Sequence, residues 1–325
     1  MITDPNFSEI NSIVAYLQRV PFDIAPKRLY DGTSLYHGYV PGDDDSFKSC
    51  FDTGVYNHFL EKGKMTTKVE ESLARALHDH AMHAALNQFF EEHDSRCCVG
   101  VMGGHSLSRD DAMYRTIVML SKQLTEMGFV MISGGGPGAM EATHVGAWMA
   151  GRSLEETDDA LSILAQSPTF TDGCRWLGTA FEVMQKYDQS HYVSLGVPTW
   201  LYGHEPSTPL ATHIAKFFEN SIRENNILTM AYGGIIYAPG SAGTMQEIFQ
   251  EAVQNHYLSF GFSSPMIFLG KKFWSEEMPA YPLLEKLMAT GKYKNLRLTV
   301  TDDSAHVVKA LQDFRQELLA SDGNC

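Results

Sequence analysis

The chain has 325 residues, 44% hydrophobic and 20% charged, with a formal net charge of −14. That length and composition fit one large α/β domain with a smaller piece attached. The acidic balance argues against a nucleic-acid groove or an anionic membrane surface as the main partner. No apolar run approaches the ~18 residues of a membrane span. Met1 to Ile10 carries Asp4, Asn6 and Glu9 and no apolar core, so no signal peptide is expected. The cysteines (Cys50, Cys97, Cys98, Cys174 and Cys325) are odd in number and form no C-x-x-C pair. A reduced, cytoplasmic setting is expected rather than a disulfide framework.

Residues 1–95 read as a mainly helical extension. Ile10, Ile13, Val14, Leu17 and Val20 have helical spacing, and a long helix is expected over Thr67 to Glu92. Residues 21–66 are mixed, and the run Asp43-Asp44-Asp45 reads as a solvated loop. Three successive carboxylates do not point the same way, so no metal site is expected there. His78, His80 and His83 on the long helix lack a completing ligand and read as surface or interface residues.

The main domain is expected over residues 96–325. Its strands are Cys97 to Met102, Phe129 to Ser133, Tyr192 to Leu195, Ile235 to Ala238, Pro265 to Leu269 and Leu296 to Thr301. Helices are expected between them over Arg109 to Met127, up to about Ala150, Glu219 to Met230, up to about Tyr257, and Glu276 to Ala289, with Ser304 to Leu319 closing the chain. A helical insertion fills about 151–190, with helices at Leu154 to Gln166 and Arg175 to Tyr187. Apolar, β-branched strands alternating with helices predict a doubly wound, mostly parallel, Rossmann-like sheet. Ligands of such sheets lie at the carboxyl ends of the strands, near the switch in strand order.

Three glycine-rich loops leave those ends: Gly103-Gly104-His105-Ser106, Gly134-Gly135-Gly136-Pro137-Gly138-Ala139, and Pro239-Gly240-Ser241-Ala242-Gly243-Thr244. Gly134, Gly136 and Ala139 formally fit the dinucleotide pattern G-x-G-x-x-[GA]. However, the loop follows the second strand, and no acidic residue ends a strand about 20 residues on. Each loop alone could be a βα turn whose glycines serve packing. Three at one edge point to a phosphate-bearing ligand held by backbone N–H groups and helix N-termini. In the third loop Thr244 is expected to cap the helix, with Glu247 in its first turn and Ile248, Phe249, Ala252 and Val253 on its apolar side. A carboxylate beside an anion site fits best where it faces a developing positive charge. The long loop Trp200 to Pro209 is expected to reach the site. His105 reads equally as a ligand contact or as a loop histidine bonded to backbone.

The paired stretches Gly134-Gly135-Gly136-Pro137-Gly138-Ala139-Met140-Glu141-Ala142 and Pro239-Gly240-Ser241-Ala242-Gly243-Thr244-Met245-Gln246-Glu247 resemble the signature of the LOG (LONELY GUY) phosphoribohydrolases. Gly103-Gly104-His105-Ser106, continuing to Tyr114-Arg115, is closer to their branch of bacterial pyrimidine/purine nucleotide 5′-monophosphate nucleosidases. The likeness covers roughly residues 97–270. It implies hydrolysis of a nucleoside 5′-monophosphate to free base and ribose 5-phosphate, without a cofactor or a metal. It implies Arg223 and Glu247 as the catalytic pair. Gly240, Ser241, Ala242, Gly243 and Thr244, together with Gly134, Gly135, Gly136 and Gly138, would bind the phosphate and nucleotide. Gly104, His105 and Met140 would border the base. Ser241 stands where the family motif has its second glycine. A homo-oligomer is implied, with the helix at 67–92 a candidate interface, and a nucleotide effector is a further partner to consider. The preferred base stays open. So does Arg223 as the partner of a neighbour such as Glu219.

A non-catalytic nucleotide or cofactor carrier or sensor is the alternative of another class, and it would need neither Arg223 nor Glu247. A nicotinamide dehydrogenase is weakened by the missing acid. A pyridoxal phosphate decarboxylase lacks its lysine, since 129–150 and 235–257 contain none.

Overall fold

The computed structural model describes residues 5–189 and 191–322. The expected absence of a signal peptide concerns residues partly outside that range, and Cys325 lies outside it. The N-terminal region holds α1 (Pro5–Leu17), α2 (Gly32–Leu35), α3 (Asp44–Ser49), α4 (Phe51–Lys62) and α5 (Val69–Glu92). Then come β1 (Cys98–Met102), α6 (Ala112–Glu126), β2 (Val130–Ser133), α7 (Ala139–Trp148), α8 (Leu154–Leu164), α9 (Gly173–Lys186), β3 (Ser194–Gly196) and β4 (His213–Ile214). The chain closes with α10 (Asn220–Met230), β5 (Gly234–Tyr237), α11 (Ala242–Tyr257), β6 (Pro265–Leu269), α12 (Ala280–Ala289), β7 (Arg297–Thr301) and α13 (Ser304–Asp322).

The seven strands form one sheet in the order β4-β3-β2-β1-β5-β6-β7, and every pairing is parallel. The expected doubly wound α/β architecture is present, with helices on both faces. Successive strand residues point to opposite faces. Val99, Val101, Met131, Ile236 and Ile267 pack with α6, α7, α8 and α13. Cys98, Met102, Ile132, Ile235, Tyr237 and Phe268 pack with α10, α11 and α12, and also with Met82, Leu86 and Phe89 of α5. Helix α5 of the N-terminal region therefore completes one face of the main core. β1, β5 and β6 are buried along their whole length because both of their faces are covered.

Several expectations are corrected. The described residues form seven strands, not six: the two-residue β4 lies inside the 200–218 segment, too short to show periodicity. Its outer edge is covered by Tyr30, which exchanges two backbone hydrogen bonds with Ile214, closing an otherwise open sheet edge. The third strand begins two residues later than expected. Residues 21–66 contain the twelve-residue α4, whose buried Val55 and Phe59 are flanked by Gly54 and polar residues that hide the period. Asp43 is not in a solvated loop but caps α3, accepting a hydrogen bond from Asp45 N at 3.0 Å. His78 is fully buried, not at the surface, and bonds Tyr30 and Asp79. Val253 of α11 is exposed. Among the described residues the cysteines are free, and no group of His, Cys, Asp or Glu could hold a metal ion. No described helix is long and apolar enough to cross a membrane.

Candidate functional site

The strand order reverses between β1 and β5. The crevice of such a sheet opens there, at the strands' carboxyl ends. Gly104 N donates to Pro239 O at 2.9 Å and Ala139 N donates to Gly104 O at 3.1 Å. The loop after β1 is thus stitched to the loops after β5 and β2, and the three glycine-rich segments converge. Gly138 is closed in on both counts: its φ is +69°, and a Cβ there would meet the carbonyl oxygens of Gly104 and His105.

Two helices begin at this crevice without a side-chain cap. Gly138 precedes α7, and Ser241 precedes α11 without capping it. The first N–H groups of each helix lack an intrahelical partner, and their positive end favours an anion. Ser241, Ala242 and Gly243 are exposed, so the start of α11 is open to solvent. Two local expectations are corrected. Thr244 is not the cap: it lies in the first turn of α11, 4% exposed, with its hydroxyl against Gly240. Glu247 is accordingly in the second turn. Pro137 precedes α7 rather than opening it.

Glu247 meets Arg223, which reaches it from α10: Nη1 lies 4.0 Å from Oε1, and the side chains are 12% and 15% exposed. The neighbour that pairs with Arg223 is therefore Glu247, whereas Glu219 meets Arg223 only through backbone. Burial pushes the Glu247 carboxyl up to about 7, against the opposing pull of Arg223. Among the described residues, Arg223 Nε is buried with no hydrogen-bond partner. Helix α10 is aimed by the N-terminal region. Asp79 of α5 accepts hydrogen bonds from Phe218 N at 2.9 Å and Glu219 N at 2.8 Å, at the start of α10. His78 Nδ1 lies 3.0 Å from Asp79 Oδ1 and its Nε2 is 3.1 Å from the Tyr30 hydroxyl.

The wall between these groups is the buried loop Gly134, Gly135, Gly136. Met140 is half-buried against it. A Cβ on Gly134 would lie 2.6 Å from Met140 Sδ, and one on Gly136 would lie 2.8 Å from Met140 Cε. His105 is exposed at the mouth, its ring edge toward Phe170 with centroids 6.0 Å apart. A cavity of about 200 Å³ adjoins it, lined by His105, Leu107, Pro137, Gly138 and Phe170.

Three features escaped the sequence. Arg109 and Glu141 form a buried bidentate pair, with Nε to Oε2 at 2.8 Å and Nη2 to Oε1 at 2.6 Å, and the Tyr114 hydroxyl donates to the same carboxylate. Arg109 also donates to the carbonyls of Leu164, Ser167 and Trp176, tying the α8–α9 insertion to the start of α7. His144, pushed down to about 3 by burial, bridges the Ser133 and Ser194 hydroxyls and so joins the ends of β2 and β3 as a neutral ring. Glu205 arrives from the loop after β3. Glu141 was legible as part of its motif, but its partner lies 32 residues away, and nothing local announces that pairing.

No family model and no curated protein matches the chain. Among solved structures it is similar to TM1055 (16% identity, TM-score 0.43, covering 66% of this chain and 98% of that one). It is also similar to the molybdenum cofactor carrier protein of Chlamydomonas reinhardtii (17% identity, TM-score 0.41, 67% and 96% covered). A third neighbour is the molybdenum cofactor binding protein of Rippkaea orientalis (14% identity, TM-score 0.39, 66% and 95% covered). What those proteins bind says nothing of what this chain does.

Proposed function

We propose that the protein hydrolyses the N-glycosidic bond of a nucleoside 5′-monophosphate, releasing the base and ribose 5-phosphate. The observation that carries this reading is the Arg223–Glu247 pair, buried a short way behind the open, uncapped start of α11. Glu247 lies five residues after Ala242, or about 7 Å along the helix axis. That is the scale of the span from a 5′-phosphate to the anomeric carbon.

In this reading the N–H groups at the start of α11 receive the phosphate, and that remote binding positions the ribose. The bond between the anomeric carbon and the base nitrogen breaks, and its electron pair leaves with the base. Positive charge grows on the ribose. The Glu247 carboxylate is attracted more strongly as that charge grows, so its effect is differential. Water then adds its oxygen to the anomeric carbon; one of its protons stays on the new anomeric hydroxyl and the other goes to the released base. Arg223, charged throughout, fixes the Glu247 carboxylate and offers Nε to the substrate.

The test is a release assay with each common nucleoside monophosphate, scoring free base and ribose 5-phosphate, with Glu247→Gln in parallel. Release that disappears in the variant supports the reading. Binding without release by the parent protein would overturn it in favour of a carrier or sensor.

A further inference from the structure

Glu205 lies on the same wall as the Arg223–Glu247 pair. A Cβ on Gly134 would stand 3.9 Å from Arg223 Nη1, and a Cβ on Gly136 would stand 3.9 Å from Glu205 Oε2. Two steps along one loop thus separate the reactive end of the crevice from a second carboxylate. The segment that carries Glu205 is pinned. Thr208 N donates to Gly135 O at 2.8 Å, the Tyr36 hydroxyl donates to Ser207 O at 2.6 Å, and the buried Lys216 ammonium donates to Ser207 Oγ at 2.9 Å. The Glu205 side chain is only 18% exposed, and among the described residues its Oε1 meets His105 and His204, at 3.5 and 3.7 Å. Both distances exceed ordinary hydrogen-bond length. Both imidazoles are largely in solvent, with side-chain exposures of 47% and 60%.

We propose that Glu205 reads the base, and that the site takes a nucleotide whose base presents a ring N–H beside an exocyclic amine, as guanine does. This rests on the nucleotide reading above. An ionised carboxylate only accepts, through two parallel oxygens. Guanine offers N1–H and N2–H side by side, matching both. Adenine and cytosine place an unprotonated ring nitrogen beside the amine, which a carboxylate repels. Uracil sets its N–H between two carbonyls, and hypoxanthine keeps N1–H but has no amine. Gly136 keeps the wall low beside Glu205, and the cavity past His105 leaves room around the ring.

The test measures equilibrium binding of GMP, IMP, AMP, CMP and UMP by calorimetry to the Glu247→Gln protein, with and without Glu205→Gln. The parent protein is assayed for turnover of the same nucleotides. GMP should bind about 10- to 100-fold more tightly than IMP, the weight of one charge-assisted hydrogen bond. Glu205→Gln, which keeps the shape and replaces an acceptor by a donor, should bring that ratio to about one. GMP and IMP binding alike in the Glu205 protein overturns the assignment, whatever the variant does. So does a GMP preference that survives Glu205→Gln. Selective GMP binding without turnover by the parent would leave the base reader standing and sink the hydrolase. No binding of any nucleotide would sink both.

Discussion

Arg223 Nη1 lies 4.0 Å from Glu247 Oε1, with both side chains largely withdrawn from water, although the residues come from different helices on either side of β5. Withdrawal makes the carboxylate costly to ionise and makes the nearby guanidinium count.

Replacing Glu247 with Gln should lower turnover by ~10²–10³ while leaving nucleotide affinity nearly unchanged, because the contact gains strength only as charge develops. Steady-state kinetics beside calorimetry would separate the two effects. A parallel loss of binding would place Glu247 in ground-state recognition instead.

Catalysis should also follow Glu247 titration. The working form is the carboxylate, and its carboxyl sits at about 7. Activity should therefore rise through that value and level off about one unit above it. A rate profile flat from pH 5.5 to 8.5 would contradict the role (the range brackets the transition by about 1.5 units either way).

Glu251, one turn further along α11, carries a stability prediction. It is 4% exposed and is pushed up to about 7 by burial, against hydrogen bonds from the Ser264 hydroxyl and Asn255. Its folded pKa lies above the unfolded one, so the folded state holds the extra proton between about 4.5 and 7. Stability contributed by the neutral acid is complete at low pH and is lost as pH rises through that window. Glu251→Gln should remove the loss, gaining roughly 3 kcal/mol at pH 8 and little at pH 4. Denaturant titration at the two pH values checks this, and equal effects at both would refute it.

Asp79→Ala should loosen the start of α10. It removes the acceptor of two backbone N–H groups at Phe218 and Glu219, at a cost of about 1–3 kcal/mol for buried donors left without partners. Because α10 carries Arg223, turnover should fall by more than the unfolded fraction explains. An unfolding curve and a turnover measurement on the same preparation decide this, and an unchanged turnover number per folded molecule would show that the α5 contact serves stability alone.

Asp52→Ala should destabilise strongly. Lys216 is fully buried with Nζ 2.6 Å from Asp52 Oδ1, and burial alone depresses the lysine. Removing the partner strands a buried ammonium, at a cost of about 3–5 kcal/mol. Adding Lys216→Met should recover much of that loss, and failure to recover it would assign the cost to packing, since Asp52 also accepts from Trp200 Nε1 at 2.8 Å.

The legible part of the protein was the part set by neighbours in sequence. The runs at 97–102, 235–238 and 265–269 read as strands, within a residue of the observed ones, because both faces of each are buried. The glycines at 134–138 read as a close-approach loop because the positive φ at Gly135 and Gly138 requires them. Helix α4 was hidden because only one narrow stripe of it is buried, and His78 was misplaced because its burial depends on Tyr30, which comes from a distant segment, although Asp79 is its neighbour in sequence.

By itself the sequence determined the alternation of strands and helices, the parallel sheet, and the three loops at its carboxyl edge, because propensity, period and backbone freedom are local quantities. It also placed Arg223 and Glu247 on successive helices. Only the tertiary structure decided that those two side chains meet, that β4 forms and is covered by Tyr30, and that α5 both roofs the core and holds the start of α10. The same holds for Glu205 beside Gly136. Such contacts join residues as far apart as Tyr30 and Ile214, and their energies come from burial and hydrogen-bond satisfaction, which exist only once the chain has closed around them.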